Sequence, residues 1–346
     1  MVCRLSSVVC RLGTALTDFY SLTDRGRSLR MRPLAARALE QYDLDVVRVR
    51  GLPDATNGVF RLDTADGGRY AMRVGLGPPA GHTVTEMESE AAWLDSLHEH
   101  ASVVLPEVVR ARDGRAVVEE TVPGVPHPRP CVIFTWLDGP LLADRISHDA
   151  FVAYGAAMAD LHRAALAFVP PDGFVAPSYD RVYPYDLPFV VFEEAGEELL
   201  PANRRKLFVE GYEVVDAEFT ALCGREPMRM LHGDMHGWNV KLNRGRIAVF
   251  DFEDMVWGWP IQDIGVALYY YWRRDDFDDL VASFRSGYET VLPWPDRGGE
   301  LWTVLIARTL LMANDVISQP EWLDAAPQIY EVGEERVRDM LQRRSR

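Results

Sequence analysis

Residues 45–74 alternate apolar and polar positions through DVVRVRGL, GVFRLDT, the turn ADGG and RYAMRVG. A period of two marks half-buried strands, and Asp66-Gly67 between the second and third runs is a hairpin signal. From Thr83 to His98 the period lengthens. Met87, Ala91, Leu94 and Leu97 recur at helical spacing, which predicts an amphipathic helix. SVVLPEVV and RAVVEE read as two further strands, and CVIFTWLDG as a buried strand ending in a polar turn. Helical patterning then takes over. SHDAFVAYGAAMADLHRAALAF is a helix with Ser147 as its N-cap, and PANRRKLFVEGYEVVDAEFTAL is a second, with Pro201 suited to its first turn. A loop rich in Tyr and Pro, residues 169–189, separates them. MRMLH, NVKL and RIAVFDF are short strands, and from Ile261 onward the pattern is helical with brief breaks. The expected plan is α+β and two-lobed. An antiparallel sheet lobe with one helix spans residues 31–138, and a larger, mainly helical lobe spans residues 139–346.

The first 30 residues depart from this pattern, carrying five arginines against two acids with an apolar part interrupted by Arg11. They do not read as a signal peptide. They read as a disordered extension, or as the product of a start assigned too early, with Met31 the true first residue.

The 346-residue chain has a formal charge of −15, and without those 30 residues the remainder stands at −18. Such a body repels nucleic acid and anionic membranes and suits a cationic small molecule. No run approaches the ~18 apolar residues a membrane helix needs. Cys3, Cys10, Cys131 and Cys223 form no CxxC pair and read as reduced thiols of a cytoplasmic protein. The bases are 35 arginines and only two lysines, Lys206 and Lys241. Oligomeric state leaves no mark in the sequence.

The densest chemistry lies in LHGDMHGWNV, residues 231–240, where His232, Asp234, His236 and Asn239 fall on a loop between strands. Farther on, IAVFDFEDM places Asp251 at the end of a buried strand. A carboxylate there is costly unless something charged meets it. Asn239 and Asp251 offer hard oxygen ligands of the kind Mg²⁺ takes together with phosphate oxygens, which leaves Asp234 to accept a proton from an attacking hydroxyl. Phosphoryl transfer requires those parts and little more from a protein. A metal-dependent phosphoesterase would share the GDMHG segment but needs further histidine ligands, and none follows His236.

HGDxHxxN followed by a short strand and DFE resembles the aminoglycoside phosphotransferase family of small-molecule kinases, which is similar in fold to protein kinases. The resemblance covers residues 45–275 and, more loosely, the helical C-terminus. It implies that Asp234 is the catalytic base, that Asn239 and Asp251 hold the metal, and that His232 and His236 support the loop. Asp263, in PIQDIGVAL, would hold that loop by hydrogen bonds. The strands NGVFRLDTADGGRYAMRV look like the nucleotide-covering strands. Asn57 and Gly58 would approach the phosphates in a loop, PDATNGVF, that lacks GxGxxG. Arg73 stands where protein kinases place a phosphate-contacting lysine, and Glu90, on the apolar stripe of its helix, would orient it. Backbone groups of Thr135, Trp136 and Leu137 would meet adenine. The implied cofactors are ATP, with GTP as the alternative, and Mg²⁺. The implied acceptor is a small hydroxylated, amine-bearing molecule: an aminoglycoside, an amino alcohol or a homoserine-like amino acid. A protein serine or threonine acceptor is the less favoured one. The competing class is a kinase-like nucleotide-binding or scaffold protein without catalysis, for which Arg73 and the poor glycine loop leave room. The intact Asp234, Asn239 and Asp251 speak against it.

Overall fold

The computed structural model describes residues 19, 21–52, 57–76, 82–183, 190–193, 196, 200–318 and 325–346. The chain forms two compact units. One comprises residues 1–95, 106–137 and 170–175, the other residues 96–105, 138–169 and 176–346.

The first unit is built on an antiparallel sheet with strands β1 (Val46–Leu52), β2 (Gly58–Thr64), β3 (Arg69–Val74), β4 (Val108–Val109), β5 (Val117–Glu120) and β6 (Arg129–Thr135). Their order is β1-β2-β3-β6-β4, with β5 also pairing to β6. The β2–β3 hairpin closes at Asp66-Gly67 as the turn signal requires, with Gly67 at φ +87°. Helix α1 (Asp24–Leu39) precedes the sheet, and α2 (Val84–His100) follows β3. The pleat sorts the side chains. Phe60, Leu62, Met72, Val74, Cys131 and Ile133 form one core with Met31, Leu34, Ala35 and Ala38 of α1. Val117 and Val132, pointing the other way, pack on Met87 and Ala91 of α2. Arg73 lies between Met72 and Val74 and so belongs to the α2 face.

Helix α1 is an addition to the expected plan, and it moves the expected boundary. Met31, Leu34, Ala35 and Ala38 follow an i, i+3, i+4, i+7 pattern and are all buried. The arginines between them and Pro33 within the helix mask that stripe in the sequence. Residues 24–30 are therefore the opening turns of a helix in the folded unit, capped by the Thr23 hydroxyl, which accepts from Gly26 N at 3.2 Å. Phe19 is buried in the same core. Residues 1–18 lie outside the described residues. The run SVVLPEVV yields only the two-residue β4, plus a single bridge from Val104 to Ala248 in the second unit.

The second unit holds helices α3 (His148–Ala164) and α4 (Ala202–Arg225), strands β7 (Arg229–Leu231), β8 (Val240–Asn243), β9 (Arg246–Val249) and β10 (Val256–Gly258), and helices α5 (Pro260–Tyr269), α6 (Phe277–Tyr288), α7 (Glu300–Ser318) and α8 (Ala326–Arg344). Ser147 caps α3 as expected, its hydroxyl accepting from Ala150 N at 3.1 Å. Pro201 sits one position earlier than expected, as the N-cap of α4 rather than in its first turn. Helices α3 and α6 cross closely. A Cβ on Gly155 would lie 1.9 Å from the Phe284 carbonyl oxygen, and one on Gly287 1.8 Å from that of Val152. Two small ladders, β7–β10 and β8–β9, carry the polar loop of residues 232–239 between them. No helix among the described residues is long and apolar enough to cross a membrane.

Candidate active site

In the first unit, Arg73 and Glu90 form a buried ion pair. Arg73 is 6% exposed and Glu90 3%. One guanidinium nitrogen reaches Glu90 Oε1 at 3.3 Å, and another pairs with Oε2. The guanidinium also lies over the Phe134 ring, 5.5 Å from its centroid. The pairing follows from the pleat, since Arg73 faces the helix on which Glu90 shares the inward stripe. Asn57 is buried ahead of β2, and Gly58 pairs with Val74 and backs onto Met31. Residues 53–56 of the expected phosphate loop lie outside the described residues. In the linking strand, Thr135 N donates to Glu107 O at 2.9 Å and Trp136 N to Arg69 O at 3.0 Å. Those two amides are engaged within the sheet and are not left for a base.

In the second unit the loop of residues 232–239 is fixed by a closed hydrogen-bond network. Asp263, in the first turn of α5 where the helix dipole favours an anion, is buried. Its Oδ2 accepts from His232 N at 3.0 Å and its Oδ1 from Gly233 N at 2.9 Å. His162 Nε2, on α3, donates to Oδ2 from 3.2 Å, while Tyr288 hydroxyl lies 2.9 Å from Nδ1. Burial pushes the Asp263 pKa up, but the His162 bond and the neighbouring donors hold it below the usual carboxylate value. Gly233 has φ +81°, and a Cβ there would fall 1.9 Å from the Asp254 carbonyl oxygen, so only glycine fits.

His232 joins the two halves of the motif. Its Nε2 donates to Phe250 O at 3.0 Å, and its Nδ1 accepts from Asp234 N at 3.3 Å. Those bonds need the neutral ring, and burial lowers the His232 pKa accordingly. Phe250 N donates to Asn239 O at 3.1 Å. Asn239 Nδ2 donates to Asp234 O at 3.0 Å and approaches Oδ2 at 3.3 Å. Tyr154 of α3 donates to Met235 O. Asp251 takes φ +67°, a left-handed conformation unusual for a non-glycine residue. Strain of that kind gathers at functional sites.

The structure thus joins Asp234, Asn239, His232, His236 and Asp263 in one network, and Asp251 follows Phe250, whose carbonyl accepts from His232. His236 Nε2 lies 3.2 Å from Asp234 Oδ2, and burial lowers its pKa against the pull of Asp234. Its ring meets Trp238 and Tyr270 edge-on. Two contributors escaped sequence reasoning. His162 reads as a helix-packing residue in ADLHRA, yet it partners Asp263. Arg308, on α7, places a guanidinium nitrogen 2.7 Å from Asp234 Oδ1. Burial works against its charge, but Asp234 and then Tyr270 more than offset this, and its pKa lies well above the ordinary value. The one signal in the sequence is a charged residue inside the apolar run TVLIARTLLM.

The donor set fits Mg²⁺. With Asn239 Nδ2 directed at Asp234, its Oδ1 is the atom that would meet an ion, and Asp251 would supply the second oxygen ligand. Among the described residues no group of three His, Cys, Asp or Glu side chains could cage a metal. Two oxygen ligands completed by phosphate oxygens are the usual Mg²⁺ arrangement.

A model of the phosphotransferase enzyme family (APH) matches residues 48–301. The chain belongs to this family. No curated protein matches the chain. Among solved structures, this phosphotransferase is similar to a microcompartment-associated aminopropanol kinase (22% identity, TM-score 0.74, covering 90% of this chain and 98% of that one). It is also similar to the amicoumacin kinase hAmiN, solved with AMP-PNP, Ca²⁺ and its ligand (17%, 0.70, 89% and 94%). A third is an aminoglycoside 2'-phosphotransferase in its GDP complex (15%, 0.60, 90% and 99%). At these identities the likeness speaks to the fold: the α+β, protein-kinase-like architecture.

Proposed function

We propose that this phosphotransferase moves the γ-phosphate of ATP to a hydroxyl of a small, amine-bearing molecule. The observation that carries the reading is the braced loop. Asp263 fixes the backbone at His232 and Gly233, and the His232 ring ties Asp234 to the strand end that presents Asp251. Asp234 accepts the proton of the attacking hydroxyl. Asn239 and Asp251 would hold Mg²⁺, which would neutralise phosphate charge. Arg73, kept in one orientation by Glu90, is assigned to phosphate oxygens, where an always-charged planar guanidinium can bind bidentately. The aminopropanol kinase, named for an amine-bearing alcohol, supports the acceptor class; the GDP complex of another neighbour keeps GTP in view.

Thermal melting with ATP, GTP and ADP, each with and without Mg²⁺, tests the nucleotide assignment, since a ligand that binds only the folded state raises Tm. Asp234→Asn should abolish transfer and leave the nucleotide shift nearly intact, whereas Asp251→Ala should weaken the Mg²⁺-dependent shift itself. No shift with any nucleotide at saturation would leave a non-catalytic scaffold as the better reading.

A further inference from the structure

We propose that Arg308 gates Asp234, and that the acceptor which opens the gate carries an oxyanion close to the hydroxyl to be phosphorylated. The inference rests on Asp234 being the base. Both oxygens of that carboxylate are covered. Oδ2 is approached by His236 Nε2 at 3.2 Å and Asn239 Nδ2 at 3.3 Å, groups of its own loop. Oδ1 is covered by Arg308 at 2.7 Å, from a helix 74 residues away in sequence. An entering hydroxyl therefore competes with the guanidinium, because the loop's own contacts are fixed by the network that shapes the loop.

Arg308 has donors to spare for a ligand. Its Nε is buried and has no hydrogen-bond partner among the described residues. A buried cationic donor without an acceptor is costly, and an oxyanion binding the fork in bidentate fashion would relieve it. The same exchange draws the guanidinium off Oδ1, so the base is uncovered when a matching acceptor is in place. A neutral water offers the guanidinium no charge to replace that of Asp234. An acceptor bearing only amines would set its ammonium against the guanidinium, a like-charge contact. The chain's net charge of −15 does not outweigh this, since exposed charges beyond about 8–10 Å are screened at physiological salt.

The surroundings admit an amine at the other end of the same face. Arg308, Met312 and Asp315 recur at i, i+4 and i+7 on α7 and are half-buried, where most of their neighbours are fully buried. Tyr183 hydroxyl donates to Asp315 Oδ1 at 2.9 Å. An acceptor with an oxyanion beside its hydroxyl suits Arg308 better than a polyamine sugar or a simple amino alcohol.

The test is initial-rate phosphorylation with Mg-ATP across size-matched acceptors. The panel is homoserine and serine, hydroxy carboxylates without an amine, a hydroxyl-bearing phosphate monoester, and amino alcohols without an acid. It is run on the full chain and on Arg308→Leu and Arg308→Lys. The expected result is a kcat/KM at least about tenfold higher for an oxyanion-bearing acceptor than for its amino-alcohol counterpart. Arg308→Leu should erase that preference and raise ATP hydrolysis in the absence of acceptor, and Arg308→Lys should keep part of it. The carboxylate and phosphate arms decide which oxyanion is read. Equal or better use of amino alcohols, with the ratio unchanged in Arg308→Leu, overturns the gate while leaving Asp234 as base. If Arg308→Leu does not fold, judged by melting, Arg308→Lys decides by the same ratio. Absence of any nucleotide shift removes the parent reading, and the gate falls with it.

Discussion

Replacing Asp263 by Asn keeps the shape of the side chain and removes one acceptor and the charge. The wild-type carboxylate serves His232 N and His162 Nε2 with Oδ2, at 3.0 and 3.2 Å, and Gly233 N with Oδ1, at 2.9 Å. In the milder orientation the new amide oxygen keeps the first two, and its NH₂ faces the Gly233 N–H. One buried N–H without an acceptor costs ~1–3 kcal/mol, and the two surviving bonds fall from charge-assisted to neutral strength, ~1 kcal/mol each. The expected loss is therefore about 3–5 kcal/mol, against a typical total of ~5–15 kcal/mol. The variant should fold, with its weakness centred on residues 232–239. Urea unfolding should show a midpoint lowered by ~1–2.5 M for a slope of ~2–3 kcal/mol/M. Amide exchange at His232 and Gly233 should quicken well beyond that of the α7 core, and kcat should fall. A loss under about 1 kcal/mol with unchanged protection at those two amides would refute the brace.

Gly233→Ala should be still more damaging to the loop. The left-handed φ costs ~1–2 kcal/mol, and relieving the contact with Asp254 O forces a backbone shift costing ~1–3 kcal/mol more; activity retained at the wild-type level would contradict it. Glu90→Ala strands a buried guanidinium and should cost ~3–5 kcal/mol by denaturant unfolding. The double variant Arg73→Met with Glu90→Leu should recover most of that stability while nucleotide-dependent melting shifts stay weak, and recovery of both together would deny Arg73 a phosphate role. The pH dependence follows from His232 and His236, whose folded pKa values are depressed by burial. Above the unfolded imidazole pKa of ~6.5 both states bind no proton there, and below it only the unfolded chain does. Stability is then lost as pH falls from about 6.5 toward the folded values, at up to ~1.4 kcal/mol per pH unit for each ring. The depressed Asp263 carboxyl adds its own loss only below its unfolded value of 3.8, as pH falls through the lower folded one. Melting curves between pH 7.5 and 5 check the imidazole effect, and His232→Gln should flatten the profile; an identical slope in that variant would count against it.

What the chain makes legible is set by sequence distance. Periodicity located the β2–β3 hairpin, α2 and α3, because strand and helix faces are written in residues a few positions apart. The family resemblance called for a helix glutamate beside Arg73, and the apolar stripe of the helix singled out Glu90. Helix α1 went unread although its apolar residues have helical spacing, for the interleaved arginines and Pro33 lower the contrast between its faces. The run SVVLPEVV failed in the opposite sense. Its β-branched residues promise a long strand, but tertiary context leaves only Val108–Val109 paired in the sheet. Adenine contacts at Thr135 and Trp136 could not be apportioned from sequence, because which amides the sheet engages depends on register.

The site itself divides along the same line. Asp234, Asn239 and Asp251 are visible because the chemistry forces three oxygen-bearing residues into two short segments joined by one strand turn. Arg308 is invisible because its meaning lies wholly in a contact made across 74 residues. In TVLIARTLLM it is a single cation amid core positions, with Leu305, Ile306, Ala307, Leu310 and Leu311 all buried around it. A half-buried arginine on an otherwise apolar helix calls for an acidic partner, so the sequence posed the question without naming the answer. That the partner is the proposed base changes the acceptor question. Net charge favoured a cation, but a field summed over a screened surface says less about a bound molecule than one guanidinium 2.7 Å from the carboxylate it must pass.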